Sequence, residues 1–349
     1  MPNSGNPVIE QAGSSVKGKR IVSGIQATGG LHIGNYLGTL CKWKEYQQEN
    51  ETFFFIADLH SLSDLYNNRP ESQVDPDVSG TTVQTLAMLL ASGLDPNRGS
   101  VYIGSQVPMV PEIFWLLSTI VPLHWLNRMS QFKSKKSENS TAALYSYPIL
   151  MAADIISVQG ELVPVGSDQT QHIEFTRECV YRINKLAGRD VLSVPKALMT
   201  QGERIMSLHD ASKKMSKSDS SDKNKILMMD SPESITSKIM KAKTDSMMSI
   251  SKDPHRIEIG NLVQIYASFA NISKEQVFKE FDGAKIVDFK RKLADLVITR
   301  LMPIQDNYYS LIKDQAYLKE VADLGKMKAA EESYKTLTAL KDILKVYNS

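Results

Sequence analysis

The chain has 349 residues, which suits two domains with sizeable cores, so we expect a bipartite architecture. Its 41 basic and 39 acidic residues leave a net charge of +2, which neither requires nor excludes nucleic acid. Any RNA contact would need a local basic patch. Cys41 and Cys179 lie far apart and outside any Cys-x-x-Cys motif. This argues against a disulfide scaffold and a structural zinc site and favours a reducing cytosol or organelle matrix, so a cytoplasmic location is expected.

Neither a membrane segment nor a secretory signal is expected. Residues 1–19 are rich in Gly, Ser, Asn and Pro and contain no apolar segment, so we predict a flexible N-terminal tail. The longest apolar run, Ile113 to Leu126, is interrupted by polar residues and is too short to span a bilayer. We interpret that run as buried core and expect no membrane partner.

Strands and helices alternate in the first half of the chain. The predicted elements are a strand at Arg20–Ile25, a helix over His32–Gln47, a strand at Thr52–Ala57, a helix over residues 75–90 capped by Asp75, and a strand at Ser100–Gly104. This alternation predicts an α/β fold with a Rossmann-like, doubly wound parallel sheet. Ligands of such sheets bind at the carboxyl ends of the strands, where residues 24–35 and the pair Asp58 and His60 would lie together.

The pattern changes twice further along the chain. Between about Pro122 and Pro195 we predict a connective segment inserted between the two halves of the sheet, with a helix starting near Tyr147, a strand at Glu161–Val165 and a helix after Gly166. From residue 231 to residue 349 the apolar spacing is helical, over 259–270, 273–281, 288–309 and 316–346. We therefore predict a catalytic domain over residues 20–230, followed by an all-helical C-terminal domain.

Two separated motifs indicate a nucleotide site. The segment from Gly29 to Asn35 (GGLHIGN) offers backbone N–H groups at the start of a helix, and the segment from Lys214 to Ser218 (KMSKS) offers mobile lysines. A triphosphate can be held by both features together. Either alone is weak, since the first can be an ordinary turn and the second a solvated loop. Their combination in one chain favours ATP.

A carboxylate lies on an apolar helix face further on. Tyr147, Met151 and Asp154 are spaced i, i+4, i+7 and so share one face of a helix, with Pro148 near its first turn. A surface aspartate is the simpler interpretation of Asp154 by spacing alone. If the face is buried, Asp154 needs a polar partner.

These motifs resemble the class I aminoacyl-tRNA synthetases, in particular the tryptophanyl branch of bacterial or organellar type. The resemblance runs in one order from Arg20 to about Tyr309, through SGIQ (23–26), HIGNY (32–36), MSQFK (129–133), YPILMAADI (147–155), VPVGSDQTQH (163–172), KMSKS (214–218) and TDS (244–246). The class signature ends in His where this chain has Asn35, a change usual in that branch. Ala27 and Val22 stand where that branch often has Pro and an aromatic residue.

The resemblance implies an activity and a set of partners. ATP would activate L-tryptophan to tryptophanyl-adenylate with release of pyrophosphate, and the aminoacyl group would pass to tRNA(Trp). Mg²⁺ is expected because it accompanies ATP, whereas no carboxylate cluster announces a metal site built by the protein. A homodimer formed through the segment 122–195 and tRNA anticodon binding by residues 231–349 are implied as well.

Site residues follow from the same resemblance. The catalytic set is His32, Asn35, Lys133, Lys214 and Lys217. The ATP-binding set is Gln26, Gly34, Asn35, Asp168, Ile205, Lys214, Met215, Ser216 and Lys217. The tryptophan-binding set is Gln26, His60, Tyr147, Met151, Asp154, Val163, Val165 and Gln169. In this assignment Asp154 accepts the indole N–H of tryptophan. A solvated surface position suits Lys133 almost as well as a role at the phosphates, because Lys135 and Lys136 lie beside it.

Three alternatives remain at this point. A tyrosine-specific synthetase shares the fold and the lysine motif. A small nucleotidylyltransferase shares the His-x-Gly signature, although such chains are shorter and lack the lysine motif and the helical extension. A synthetase-like protein without catalysis would only bind RNA or a partner, and the presence of Lys214, Lys217, His32, Gln26 and Asp154 argues against it.

Overall fold

Six parallel strands form the centre of the computed structural model, which describes residues 9–11, 16–28, 30–67, 77–138, 140–199, 204–217, 219 and 221–347. The strands are β1 (Ile9–Gln11), β2 (Arg20–Ile25), β3 (Glu51–Ile56), β4 (Ser100–Ile103), β5 (Leu162–Val165) and β6 (Lys196–Met199). Their order across the sheet is β1-β6-β5-β2-β3-β4. The predicted Rossmann-like α/β class is confirmed.

The central strands are largely buried and mostly apolar because helices cover both faces of the sheet. In β3, Phe53 and Phe54 are fully buried, and the latter stacks on Trp43 with ring centroids 4.3 Å apart. β2 and β3 run in register from Arg20 opposite Glu51 to Ile25 opposite Ile56. Both strands therefore end at the same edge, and this edge carries the residues that follow them.

Fourteen α-helices are described. They are α1 (Ile33–Asn35), α2 (Cys41–Tyr46), α3 (Asp58–Leu65), α4 (Val78–Ala91), α5 (Met109–Ile120), α6 (Leu123–Leu126), α7 (Ser130–Lys135), α8 (Ala142–Ser157), α9 (Thr170–Ala187), α10 (Pro232–Lys241), α11 (Ile257–Ala270), α12 (Lys274–Glu280), α13 (Ile286–Leu311) and α14 (Gln315–Leu344). A π-helical segment, Tyr36–Leu40, joins α1 to α2. The helix predicted over residues 32–47 is thus interrupted by one wider turn.

Two helices, α8 and α4, each begin directly after a residue whose side chain caps them. α8 begins at Ala142 because the Thr141 side chain caps it by accepting the N–H of Leu144, so the predicted start near Tyr147 is wrong. Pro148 consequently lies inside α8 and not in its first turn. α4 begins at Val78, capped by Asp77, while the predicted cap Asp75 lies outside the described residues.

Two boundaries within the catalytic half were wrong. Ile9–Gln11, assigned to a flexible tail, forms a strand parallel to β6. β6 itself was not predicted, since its four residues include Lys196 and show no clear alternation. β5 pairs with both β2 and β6, so it belongs to the sheet and the inserted segment ends before it, not at residue 195.

The chain after residue 230 is helical, as predicted for the fold class. Its last helix, α14, returns to the edge strand β4, and a methyl group added at Gly325 would overlap the carbonyl of Val101. Ala329, Leu337 and Leu340 are buried in the same apolar cluster as Phe53 and Phe55 of the sheet, among other residues. The final helix therefore covers the sheet-containing N-terminal part of the chain, and residues 231–349 do not stand apart from it.

The apolar run after Ile113 is only partly core. Ile113 and Leu117 are fully buried, but Trp115 and Leu123 are exposed to 66% and 68%. Within the described ranges, no helix combines the length and the apolar character that crossing a bilayer would need.

Candidate active site

His32 caps the helix that follows β2. Its Nδ1 accepts the N–H of Asn35 at 3.3 Å, and the Asn35 side-chain oxygen accepts the N–H of His32 at 3.2 Å. This reciprocal box satisfies two N–H groups that a helix start leaves unpaired. A Cβ at position 34 would come within 2.9 Å of the His32 ring, so Gly34 is the residue that lets the ring lie over the helix start.

The segment around His32 pairs with the chain that follows the KMSKS motif. The Ile33 N–H donates to the Ile226 carbonyl at 3.0 Å, and the Met228 N–H donates to the Leu31 carbonyl at 2.8 Å. His32 and Leu227 form an antiparallel bridge. Main-chain bonds thus bring together two motifs that lie almost 200 residues apart in sequence.

Ile205 and Met215, two of the residues predicted to bind ATP, lie beside this helix start. The Met215 N–H donates to the Ile205 carbonyl at 3.1 Å, and both side chains are buried. A Cβ at Gly34 would lie 3.7 Å from Ile205. These two residues form an apolar wall next to the backbone N–H groups of α1.

The lysine loop, which we define as Lys214–Lys217 and Asp219, reaches this helix start. The Lys217 ammonium donates to the Gln26 carbonyl at 3.1 Å, and burial lowers the pKa of Lys217 to about 8. The pKa of His32 falls to about 3, chiefly through burial and then through the charges of Lys217, Lys214 and Lys225. A neutral imidazole among three ammonium groups suits a polyphosphate and cannot act as a proton donor of the imidazolium type.

Asp154 is buried on α8 and pairs with His60 of α3. The His60 Nε2 lies 2.9 Å from the Asp154 Oδ2, and the Asp154 side chain is only 10% exposed. Burial raises the pKa of Asp154, while the hydrogen bond and charge of His60 act in the opposite direction. The partner that a buried Asp154 requires is therefore His60, a residue that the sequence placed near the substrates without naming its contact.

A second polar contact fixes Tyr147, which lies about two turns before Asp154 on α8. Its hydroxyl lies 2.5 Å from the His172 Nε2 and 3.1 Å from the Gln131 Oε1. His172 is buried, and burial lowers its pKa to about 4, so the imidazole is neutral. His172 and Gln131 stand inside quoted motifs, but nothing in their spacing revealed that they orient Tyr147.

The apolar residues assigned to the tryptophan slot do cluster. Met151 and Val165 pack against a small buried group of Ile155, Val163, Ile173 and Ala197. This group comes from α8, α9, β5 and β6. The slot walls are thus carried on regular elements.

Gln26 joins the two ends of the site. Its carbonyl accepts Lys217, and its side-chain amide donates to the Asp64 Oδ2 at 3.0 Å. Asp64 lies on α3, one turn after His60. Asp64 was not among the predicted residues, because a polar residue on a short helix gives no signal of its own.

Comparison with known proteins now decides the family. Residues 17–302 match the family described as tRNA synthetases class I (W and Y). The chain belongs to this family. It is 42% identical over 330 residues to a tryptophan–tRNA ligase of Rickettsia bellii, covering 93% of this chain and 98% of that one.

Solved structures give the same result. A tryptophanyl-tRNA synthetase from Mycoplasma pneumoniae superposes with a TM-score of 0.82 at 30% identity, covering 94% of this chain and 98% of that chain. The enzyme from Campylobacter jejuni, solved with ADP and tryptophan, superposes with a TM-score of 0.78 at 28% identity over 93% and 99%. This chain is therefore an aminoacyl-tRNA ligase by family and by fold.

Some residues assigned to this synthetase's site are not joined to it by a described contact. Lys133 is exposed on α7. Asp168 and Gln169 bond to each other at 2.9 Å in a 3₁₀ turn before α9, and the charge of Asp168 acts on His172. Ser216, by contrast, belongs to the lysine loop, where its carbonyl accepts the Asp219 N–H at 3.4 Å. Among the described residues, no group of three or more His, Cys, Asp or Glu side chains is placed to hold a metal ion.

Proposed function

We propose that this synthetase activates L-tryptophan with ATP and transfers the tryptophanyl group to tRNA(Trp). The observation that carries the proposal is the link through Gln26 between a cationic helix start and an apolar slot that ends in a buried carboxylate. The relatives named as tryptophan–tRNA ligases, matched over nearly their full length, support it.

In the first step, a tryptophan carboxylate oxygen forms a bond to the α-phosphorus of ATP. The bond from that phosphorus to the bridging oxygen breaks, and pyrophosphate leaves with the electron pair. Such chemistry needs positioning and charge stabilisation more than a covalent nucleophile. Lys214 and Lys217 supply positive charge to the phosphates, and the neutral His32 ring, whose Nδ1 accepts the Asn35 N–H, offers them its Nε2–H as a donor.

Choice of the amino acid is assigned to Asp154 and its neighbours. A buried carboxylate can accept the indole N–H, and His60, which it contacts in this structure, keeps it in place. A ligand without this donor leaves the carboxylate poorly paired in an apolar slot, which costs free energy. Tyr147, Met151, Val163, Val165 and Gln169 complete the proposed slot.

Further features of the reaction are proposed from the family. Mg²⁺ enters with the nucleotide, which suits a site that neutralises phosphate with lysines. Lys133 and Asp168 join the nucleotide from neighbouring segments, and residues 231–349 contact the anticodon of the tRNA. A cytoplasmic location is supported by the unpaired thiols Cys41 and Cys179.

The decisive experiment is amino-acid-dependent exchange of pyrophosphate into ATP, measured with each of the twenty amino acids and Mg²⁺. Exchange with tryptophan alone is expected, because activation is readily reversible. Exchange with tyrosine would assign the chain to the sister specificity. No exchange with any amino acid would leave a protein that binds without catalysis, and either result would refute the proposal.

We also propose a homodimer. Trp115 and Leu123 lie on neighbouring helices α5 and α6, and large exposed apolar side chains of this kind mark protein interfaces. Sedimentation at micromolar concentration is expected to show a dimer, and Leu123→Asp is expected to weaken it. A stable, active monomer of the wild-type chain would contradict the dimer without affecting the proposed chemistry.

A further inference from the structure

Lys225 lies just after the lysine loop and holds its main chain. Its ammonium donates to the Lys217 carbonyl at 2.9 Å and to the Asp219 carbonyl at 2.8 Å. An ammonium offers three donors, so two are committed to this loop. Lys225 was not a predicted site residue, because the resemblance placed the functional lysines within KMSKS.

The backbone of Lys225 is itself fixed to the catalytic helix start. The next residue, Ile226, is fully buried, and its carbonyl accepts the N–H of Ile33 at 3.0 Å. The following residue, Leu227, forms the bridge to His32. Lys225 therefore connects a rigid segment beside His32 to the loop that carries Lys217.

At its start the loop is tied to residues 205 and 206, because the Met215 N–H donates to the Ile205 carbonyl and Lys214 forms a bridge with Met206. The Asp219 carboxylate accepts the Ser221 N–H at 2.9 Å and the Asn224 side-chain amide at 2.8 Å, which are contacts within five residues. Lys217 reaches across to Gln26 with its own ammonium. If phosphate replaces the Gln26 carbonyl as the partner of the Lys217 ammonium, the bond from Lys225 to the Lys217 carbonyl can remain in place.

Charge supports the same arrangement. Lys225, Lys217 and Lys214 all lie close enough to His32 to lower its pKa. Three ammonium groups repel one another, and the two carbonyls offset this repulsion at Lys225. Lys225 can thus stay close to the lysine loop before a polyphosphate arrives.

We propose that Lys225 is a positioning residue for amino-acid activation, because it holds the Lys217 and Asp219 carbonyls and so presents the Lys217 ammonium to the phosphates of ATP. The inference rests on the proposed role of the lysine loop. It adds that a lysine outside the KMSKS motif, Lys225, keeps the lysine loop ordered.

Lys225→Met tests the inference, since it removes the ammonium but keeps the aliphatic stem. Lys223→Met is the matched control, because Lys223 is exposed two residues away in the same segment and carries the same charge. Two measurements are made on full-length protein: amide hydrogen exchange of peptides covering the lysine loop, and single-turnover formation of tryptophanyl-adenylate at saturating ATP.

In Lys225→Met, exchange in the loop is expected to rise about tenfold and the activation rate to fall about tenfold, as expected for losing hydrogen bonds from a charged donor. The dissociation constant for tryptophan is expected to stay within about twofold of the wild-type value. Lys225→Arg, which can donate to both carbonyls, is expected to recover most of the rate.

Unchanged loop exchange in Lys225→Met would overturn the inference, and so would an equal loss of rate in Lys223→Met, which would indicate a general charge effect. If Lys225→Met folded poorly, as judged by its melting temperature, Lys225→Gln would replace it under the same criteria. Loosening of the loop in a protein whose wild-type form activates no amino acid would refute the proposed function, while the tie between Lys225 and the loop would stand.

Discussion

The amino-acid end of the proposed site consists of side chains carried on regular elements, whereas its proposed nucleotide end consists largely of main chain and lysines. Asp154 and Tyr147 project from one helix and are held by His60 and His172 from two others. At the other end, His32 caps a helix and Lys217 arrives on a loop. Rigid elements suit selection of a side chain, and a loop suits charge that must act at the transition state.

The two ends of the site should therefore respond differently to mutation. Changes at the amino-acid end are expected to alter which substrate is accepted, and changes at the nucleotide end are expected to alter how fast the accepted substrate reacts. The variants below can break that division.

Asp154→Ala is expected to have the largest effect. The ratio of kcat/KM for tryptophan over phenylalanine should fall by a factor that can reach about 10⁴, because the variant loses the acceptor for the indole N–H. Asp154→Asn should lose less, since an amide oxygen still accepts. Asp282→Ala, an exposed carboxylate after α12, is the control. An Ala variant with its full preference for tryptophan would place Asp154 outside the specificity pocket.

Lys217→Ala comes next. Its single-turnover activation rate is expected to fall about 100- to 1000-fold, the range for removing one group that stabilises transition-state charge. The dissociation constant for tryptophan should change little. The control is Lys213→Ala, four residues before Lys217. It removes an exposed lysine that pairs with Asp210 and should have little effect on either the activation rate or the tryptophan dissociation constant. An unchanged rate with weaker tryptophan binding would show that the loop serves the amino-acid end instead.

The pH dependence should reveal the nucleotide end alone. With a pKa of about 8, Lys217 is charged below that pH and neutral above it. The value of kcat/KM for ATP, which reports groups of the free enzyme, should therefore fall about tenfold for each pH unit above this point. His32, with a pKa of about 3, stays neutral throughout an assay from pH 6 to 9. If kcat/KM for ATP still fell at alkaline pH in Lys217→Arg, Lys217 could not be the group whose titration causes that fall.

Tyr147→Phe should give the smallest effect. It removes the hydroxyl between His172 and Gln131, and the loss of such bonds should raise KM for tryptophan about five- to tenfold. Tyr145→Phe is a close control, because this hydroxyl on the same helix bonds Leu123 and Asn127 instead. Equal effects of the two changes would mean that they act through the stability of α8.

Much of the fold could be predicted from the sequence, for a physical reason. Strands covered on both faces read as apolar runs, so β2 and β3 were predicted within one residue of their observed bounds. The motifs led to the prediction of Lys217, His32 and Asp154 as site residues, which stays a prediction. The match to the family confirms the interpretation drawn from those motifs.

Contacts between distant segments could not be predicted in this way. Asp64 and His172 bond to residues far from them in sequence, namely Gln26 and Tyr147. Lys225 lies outside the KMSKS motif whose main chain it contacts. No local sequence pattern indicates such contacts. The early start of α8 was missed because one threonine cap decided it. The docking of α14 was missed because helical spacing shows which face is apolar but not what that face covers.

The glycine contact between α14 and β4 has a consequence for synthesis of the chain. Gly325 lies against Val101 at the sheet's edge, and the two are separated by more than 220 residues. A ribosome releases the N-terminal residues first, so the β4 edge is made long before its cover. Until residue 325 has emerged, that open edge can pair with another nascent strand. Production of active protein should therefore depend on chaperones more than its modest size suggests.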